Sequence, residues 1–268
     1  MKRPISRLIF LLLAIPASGN AFAVPAPADT LKVWTVAAHG IAIDPLGNLY
    51  ILEGNSLTKF DPAGDSVCSW SDPKTGRVTL ADAGDPLRIM VYQRDFNLVR
   101  FLNNRLAPLA DPIALDDLGL TTPLTLGVCR QGGFWVLDGN STRLRLIGPR
   151  LTTVVESIPL NLPSTQVTAG YRLFESGDHV YLLIPDREIL VFDLFANLIR
   201  KIPLRMQAFG VYGNRILLVR PESVSLWNNP VTDEEMIWTD DSADLREACL
   251  FQNRLFFRTS RQAVLISR

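Results

Sequence analysis

Short apolar runs recur along the chain at a nearly constant spacing. Six times, a four-residue run of β-forming residues is followed by a short polar or glycine-containing turn and then by a second run, which begins eight to ten residues after the first began. The first runs begin at residues 49, 89, 134, 180, 216 and 255, so successive offsets are 40, 45, 46, 36 and 39 residues. A repeat of about forty residues is the length of a four-stranded propeller blade. The spacing therefore predicts six consecutive blades.

Further strand candidates flank these pairs. Inner strands are predicted at 40–44, 77–81, 124–129, 171–175, 208–212 and 246–251, and outer strands at 66–70, 105–109, 152–158, 198–202 and 235–238. The sixth unit lacks an outer strand, whereas the alternating segment Leu-Lys-Val-Trp-Thr-Val at 31–36 belongs to no unit. We therefore predict an all-β, six-bladed β-propeller of four-stranded antiparallel blades, with the ring closed by the N-terminal strand 31–36 completing the last blade. A short helix is expected only in connectors, for example at 113–118.

The first unit resembles the NHL-type propeller repeat. Its segments read Gly40-Ile-Ala-Ile-Asp44, then Gly47-Asn-Leu-Tyr-Ile-Leu-Glu53, then Leu57-x-Lys-Phe-Asp61 with Gly64, and only 133–138 echoes them clearly later in the chain. The resemblance implies a propeller. It leaves the function open, because NHL-like propellers include protein- and RNA-binding modules, lactonases and lyases.

The first twenty-three residues have the layout of a secretory signal peptide. Lys2, Arg3 and Arg7 form a basic start, residues 8–15 are an unbroken apolar run, and Ala21-Phe-Ala23 is a small-x-small cleavage pattern. An eight-residue run is too short for a spanning helix, so a membrane anchor is the weaker alternative. We expect a signal peptide at 1–23, a Pro/Ala-rich leader at 24–30 and one propeller domain at 31–268. The expected location is the periplasm or the extracellular space, without membrane insertion after cleavage.

Charge and cysteine content narrow the possibilities. The 27 basic residues balance the 27 acidic ones, so no nucleic-acid partner is predicted. The three cysteines allow either one disulfide plus a reactive thiol or three buried thiols. Cys129 and Cys249 are placed on innermost strands that face each other across the channel, and Cys68 on an outer strand. These positions do not fit the Cα separation of roughly 4.4–6.8 Å that a disulfide needs, so three free, largely buried thiols are predicted.

No catalytic constellation is visible in the sequence. His39 and His179 are the two histidines. His39 precedes the innermost strand of blade one, a position that could face the channel, but a structural or exposed role is favoured for both histidines. Two hairpin turns contain side chains of the kind that bind calcium, namely Glu53, Asn55, Asp138 and Asn140. The same residue types are also common in hairpin turns for conformational reasons, and this structural interpretation is favoured. No catalytic residue, metal ligand or cofactor is predicted. Calcium is expected only under the alternative of a lactonase-like hydrolase or lyase acting at the propeller axis.

One face of the predicted ring gathers polar turns. In a propeller, the turns between the second and third strands emerge on the same face as the connectors between blades; we call this the connector face. It would carry the longest connectors, at 71–76, 110–123 and 159–170, together with a mixed set of charges. We therefore predict a non-enzymatic, monomeric scaffold that presents this face to a protein or glycan partner. The candidate binding residues are Glu53, Asn55, Arg94, Asp95, Asp138, Arg143, Asp186, Arg187, Glu188, Arg220 and Glu222.

Overall fold

The structure is a ring of six four-stranded antiparallel blades, which confirms the predicted six-bladed propeller. It is a computed structural model, and it describes residues 29–35, 37–163, 170–212, 215–228, 234–239 and 241–267. The predicted signal peptide and most of the predicted leader lie outside the described residues. Within the described ranges, helix is limited to two single 3-10 turns, at Arg94–Phe96 and Asp116–Leu118.

Each blade is a meander that runs outward from the axis. From inner to outer strand, blade one is β2 (Gly40–Ile43), β3 (Leu49–Glu53), β4 (Ser56–Phe60) and β5 (Ser66–Ser71), and blade two is β6 (Leu80–Asp82), β7 (Ile89–Gln93), β8 (Leu98–Leu102) and β9 (Ile113–Ala114). Blade three is β10 (Pro123–Val128), β11 (Phe134–Asp138), β12 (Arg143–Ile147) and β13 (Thr153–Glu156), and blade four is β14 (Arg172–Ser176), β15 (His179–Ile184), β16 (Glu188–Asp193) and β17 (Leu198–Ile202). Blade five is β18 (Ala208–Tyr212), β19 (Arg215–Arg220), β20 (Ser223–Asn228) and β21 (Glu234–Thr239), and blade six is β22 (Glu247–Phe251), β23 (Arg254–Arg258), β24 (Ala263–Ser267) and β1 (Asp29–Trp34).

The N-terminal strand closes the ring as predicted. β1 pairs antiparallel with β24 along blade six. The strand starts two residues earlier than expected and ends at Trp34, and the last predicted position, 36, lies outside the described residues. The Trp34 ring packs against Phe60 of blade one and Phe256 of blade six, with centroids 5.2 Å and 5.7 Å away. Lys32 Nζ lies 2.8 Å from Asp65 Oδ1 of blade one. The strand therefore joins the last blade to the first.

Blade two differs from the prediction in its outer and inner strands. The outer strand is Ile113–Ala114 rather than 105–109, and the expected helix at 113–118 shrinks to one 3-10 turn. The physical reason is a tight turn: Asn103 Oδ1 accepts hydrogen bonds from the backbone N–H groups two and four residues later, at 2.8 Å and 3.0 Å. Leu106 takes φ 59° there and buries its side chain, which gave the turn a strand-like apolar pattern. The inner strand is Leu80–Asp82 rather than 77–81.

The hydrophobic core lies between the blades. Six buried clusters occur, one at each interface between adjacent blades. Because a blade contacts a neighbour on both faces, its second and third strands are apolar at consecutive positions, as in the fully buried Ile89–Gln93. These clusters hold the six inner strands in fixed positions around the axis.

Candidate functional site

The structure places the candidate binding residues around the connector face, on the turns that join the second and third strands of blades one to five. Several of them stabilise their own hairpins. Asp138 is buried, accepts a hydrogen bond from Ser141 Oγ at 2.6 Å and lies within 3.3 Å of an arginine on β12. Arg143 donates to a backbone carbonyl in its own blade at 2.6 Å. Arg220 lies 2.5 Å from Glu234. These three side chains serve the blades that carry them.

The other candidates divide into exposed and inter-blade groups. Arg94 Nη2 donates to the carbonyl of Leu124, so this arginine links blades two and three. Arg187 and Glu188 form an ion pair within one turn, at 3.2 Å. Asn55 is half-buried in its turn. The exposed members stand on four different blades and do not converge on one point; they are Glu53, Asp95, Asp186, Arg187 and Glu222.

The convergent site is the axial channel. The inner strands surround a cavity of about 460 Å³. Its lining is mainly apolar and includes Ile41, Phe174, Phe209 and Phe251, together with Cys249. Charged side chains lie towards its two ends, because the first residues of the inner strands reach the connector face and the last residues reach the opposite face. The two mouths therefore differ in chemistry.

At the connector-face mouth, one carboxylate binds two guanidinium groups. Glu247, the first residue of β22, accepts a hydrogen bond from Arg172 of blade four, and its Oε2 lies 3.2 Å from Nε of Arg258. The same oxygen accepts the backbone N–H of Ile41 at 3.0 Å. The side chain of Glu247 is 10% exposed and that of Arg172 is 32% exposed. This triad connects blades four, six and one, and carries a net charge of +1.

His39 lies beside the triad but outside the residues that line the channel, contrary to the orientation considered for it. Its Nε2 is hydrogen-bonded to the carbonyl oxygen of Val78, which accepts, so Nε2 carries the proton and the ring links blades one and two. Burial, and then the charges of Arg77 and Arg258, lower the pKa of His39, whereas the bond to Val78 opposes this. The ring is therefore neutral at neutral pH. His179 lies on β15, partly exposed.

At the opposite mouth, two carboxyl groups hold the end of β10. Asp82 Oδ2 accepts the backbone N–H of Val128 at 2.7 Å. Glu175 accepts the backbone N–H of Arg130 at 3.0 Å and the indole N–H of Trp135 at 2.6 Å. Burial, with a smaller contribution from Glu175, raises the pKa of Asp82 to about 6. Carboxyl groups from blades two and four thus fix blade three between them.

All three cysteines are free, as predicted. Cys249 lies deep in the channel, and burial raises the pKa of its thiol to about 12. Cys129 does not face it across the channel; it packs in the core between blades three and four, where burial raises its pKa to about 11. Cys68 lies on β5 and is half-buried. The three cysteines therefore lie in different parts of the ring, and no two of them form a disulfide.

The calcium-type residues do not form one site. Glu53 and Asn55 belong to blade one, whereas Asp138 and Asn140 belong to blade three, where the Asn140 N–H binds Asp138 Oδ1 at 3.0 Å. Among the residues that the structure describes, no group of three or more His, Cys, Asp or Glu side chains is placed to hold a metal ion. Glu53, Asn55, Asp138 and Asn140 therefore do not make up a shared calcium site. Within the same described ranges, no helix is long and apolar enough to cross a membrane.

Sequence reasoning missed the residues that converge on the axis. The four residues Arg172, Glu247, Asp82 and Glu175 lie on predicted inner strands or directly beside them, where the repeat pattern predicts strand structure and no site. The available signal was a charged residue within an otherwise apolar innermost strand, because such a residue needs a partner from another blade.

No family model matches the chain, and no curated protein matches it. Solved structures do. A virginiamycin B lyase from Staphylococcus aureus with quinupristin matches with a TM-score of 0.61 and 10% identity, over 90% of this chain and 98% of that one. BamB from Moraxella catarrhalis matches with 0.51 and 11%, over 85% and 84%. BBS1N in complex with ARL6DN matches with 0.55 and 13%, over 86% and 77%. At these identities the matches establish the propeller fold alone.

Proposed function

We propose that the chain is an exported, non-enzymatic binding protein that presents its connector face to a protein or glycan partner. The observation that carries the proposal is an exposed aromatic side chain held rigidly among charged turns on this face. Phe96 is 56% exposed at the tip of the blade-two turn. Aromatic residues are enriched among the side chains that dominate binding energy at interfaces.

The Phe96 turn is ordered before any partner arrives. The next residue, Asn97, is buried with φ 50°, and its Oδ1 accepts the hydroxyl of Tyr92 at 3.0 Å. Its Nδ2 lies 2.7 Å from Asp116 Oδ1 and 2.8 Å from the carbonyl of Leu120. These bonds join the turn to the connector between blades two and three. A preorganised side chain loses less entropy on binding, which favours this position as a contact.

The propeller offers a matched control for this site. Phe195 is 71% exposed on the turn between β16 and β17, which lies on the opposite face. A photoreactive phenylalanine analogue placed at position 96 is expected to cross-link a partner in the native envelope, whereas the same analogue at position 195 is expected not to. Equal cross-linking at both positions, or adducts from position 195 alone, would contradict the proposal.

Export is part of the same proposal. It rests on the sequence pattern of residues 1–23, and it places the mature protein in a periplasm or outside the cell. N-terminal sequencing of the protein from its native host is expected to begin at Val24. A mature protein that begins at Met1 and stays in the cytoplasm would remove this part of the proposal.

The finer assignment to NHL-type propellers is likewise a proposal. It is supported by the turn after β2, where Asp44 Oδ1 accepts the N–H groups of Leu46 and Asn48 at 2.9 Å each and Gly47 takes φ 85°. These contacts explain the Asp and Gly positions of the repeat that this segment resembles.

A second candidate function is a calcium-dependent, lactonase-like hydrolase or lyase acting at the axis. It is favoured by the two carboxyl groups of Asp82 and Glu175 at the channel and by the fold shared with a lyase whose structure contains quinupristin. Calcium titration by calorimetry separates the two functions. Heat of binding, together with a loss of thermal stability on adding chelator, would support the enzyme; no heat and no shift would support the binding protein.

A further inference from the structure

We propose that the axial channel is itself a binding site for a small apolar monoanion, an organic carboxylate whose charged group lies beside Arg172 and whose apolar body fills the channel. This site is separate from the proposed partner contact at Phe96, because it lies inside the ring.

The channel has the size and lining of a small-molecule site. Its volume of about 460 Å³ falls within the roughly 300–1,000 Å³ typical of ligand pockets, which are mostly apolar with a few polar groups. Gly210 of β18 enlarges the cavity. Because Gly210 has no side chain to cover Leu217, its partner on the next strand, the cavity extends as far as Leu217. A Cβ atom at Gly210 would have Leu217 atoms as its nearest neighbours, at 3.8 Å and 3.9 Å.

The connector-face mouth selects for one negative charge. Two guanidinium groups and one carboxylate meet there, and their sum is +1. His39 adds no charge at neutral pH, because its pKa is lowered. A monoanion would therefore neutralise the mouth, whereas a cation would be repelled by it.

Arg172 has donors left for a ligand. Its Nη2 donates to Glu247, and its Nη1 donates to the carbonyl of Tyr171 at 3.2 Å. A guanidinium carries five N–H donors in a planar fork that suits a carboxylate, and about a third of this side chain is exposed. Glu247 also fixes the position of the guanidinium, so little entropy is lost when a ligand binds.

The opposite mouth sets the orientation. Asp44, Asp82 and Glu175 place three carboxyl groups at that end of the channel against one guanidinium, that of Arg130, so this mouth is negative overall. An anionic head group would be repelled there, so the head group lies at the connector face and the apolar part points towards Phe174 and Phe251.

The test compares three straight-chain probes that carry an octyl or octanoyl chain but differ in head-group charge, by titration calorimetry: octanoate, 1-octanol and octyltrimethylammonium. For the unmodified protein we expect one octanoate per chain, bound at least tenfold more tightly than either of the others. This comparison needs no mutation. If octanoate binds no more tightly than 1-octanol, or if none of the probes binds, the proposal is wrong.

Variants locate the site. Arg172→Gln is expected to weaken octanoate at least tenfold while leaving 1-octanol unchanged, and Arg200→Gln, on the outer strand of the same blade, is expected to change neither. Gly210→Leu is expected to abolish all binding by filling the channel, with a cooperative thermal transition showing that it folds. Octanoate binding that survives Gly210→Leu would place the site elsewhere. Cross-linking at position 96 is expected to survive Gly210→Leu, so the two proposals fail separately.

Discussion

The closing strand provides the most direct test of the ring. We predict that Trp34→Ala destabilises the protein by about 2–3 kcal/mol. Removing a fully buried Trp costs about 3–5 kcal/mol, and Trp34 is only half-buried, which lowers this value. Its two aromatic contacts, with Phe60 at 5.2 Å and Phe256 at 5.7 Å, contribute about 0.5–1.5 kcal/mol each beyond the area that they bury. The loss falls on the interface between blades six and one.

Leu31 is the matched control for this measurement. It lies on the same strand but is 46% exposed on the outer edge, so Leu31→Ala is expected to cost less than about 0.5 kcal/mol. Urea unfolding followed by circular dichroism gives both values, and about 2–3 kcal/mol corresponds to a Tm lower by roughly 5–10 °C for a domain of this size. If Trp34→Ala costs no more than Leu31→Ala, the strand does not hold the ring closed.

Deleting residues 29–34 is expected to cause aggregation through the exposed edge of β24, and a soluble deletion mutant that unfolds cooperatively would contradict the proposed closure.

Three further changes test the polar and backbone features. Glu247→Gln is expected to cost about 2 kcal/mol in urea unfolding, because it removes the charge between two arginines, whereas exposed Glu222→Gln is expected to cost almost nothing; equal effects would refute the role of the triad. Because the folded-state pKa of Asp82 is raised, the folded protein binds more protons than the unfolded chain between about pH 4 and pH 6. Stability is therefore lost as pH rises through this window, on the order of 2–3 kcal/mol, and Asp82→Asn is expected to abolish that loss; an unchanged pH profile would contradict it. Leu151→Gly is expected to raise the free energy of unfolding by about 0.5–1 kcal/mol, seen as a higher urea midpoint, since Leu151 is 40% exposed and holds φ 58°; a lower midpoint would mean that its packing outweighs the strain.

The strand pairs were predictable because burial on both faces gives each blade an unmistakable pattern. A run such as β7, buried at every position, contrasts with the polar turns beside it, and this contrast repeats six times. The ring closure was predictable by the same logic, since one strand was left over at the start and one was missing at the end.

The later repeats lack glycines that the first repeat has, and this difference has a conformational explanation. A five-residue turn recurs in which the first side chain accepts backbone N–H groups two and four residues later, and the fourth residue has positive φ. Blade one uses Gly at the fourth position, whereas later blades use Leu106 or Ala196. Both of these side chains are buried, and the packing they gain offsets a left-handed conformation that disfavours non-glycine residues. The turn persists without the glycine, which is why the resemblance fades while the fold continues.

The axial site was beyond sequence reasoning because it depends on contacts between blades that are not neighbours. Arg172 and Glu247 are 75 residues apart and belong to blades four and six, so the arginine spans the inner strand of blade five. The repeat predicts which blades are adjacent. It does not predict which side chain reaches past a neighbouring blade, since that depends on side-chain length and on the room that Gly210 leaves beside the channel.

Most of the polar groups at the axis are committed to holding the ring together. Glu247 accepts a backbone N–H from blade one, and Asp82 and Glu175 each accept one from blade three. A carboxylate that already receives such bonds is costly to remove and has little capacity left for a ligand. The partly exposed guanidinium of Arg172 differs, because it keeps donors beyond those that bind Glu247 and Tyr171. The ligand class of the channel therefore follows from the groups that the ring does not use for its own stability. These are a guanidinium with donors to spare at one mouth and an apolar cavity beneath it, which together suit an apolar monoanion.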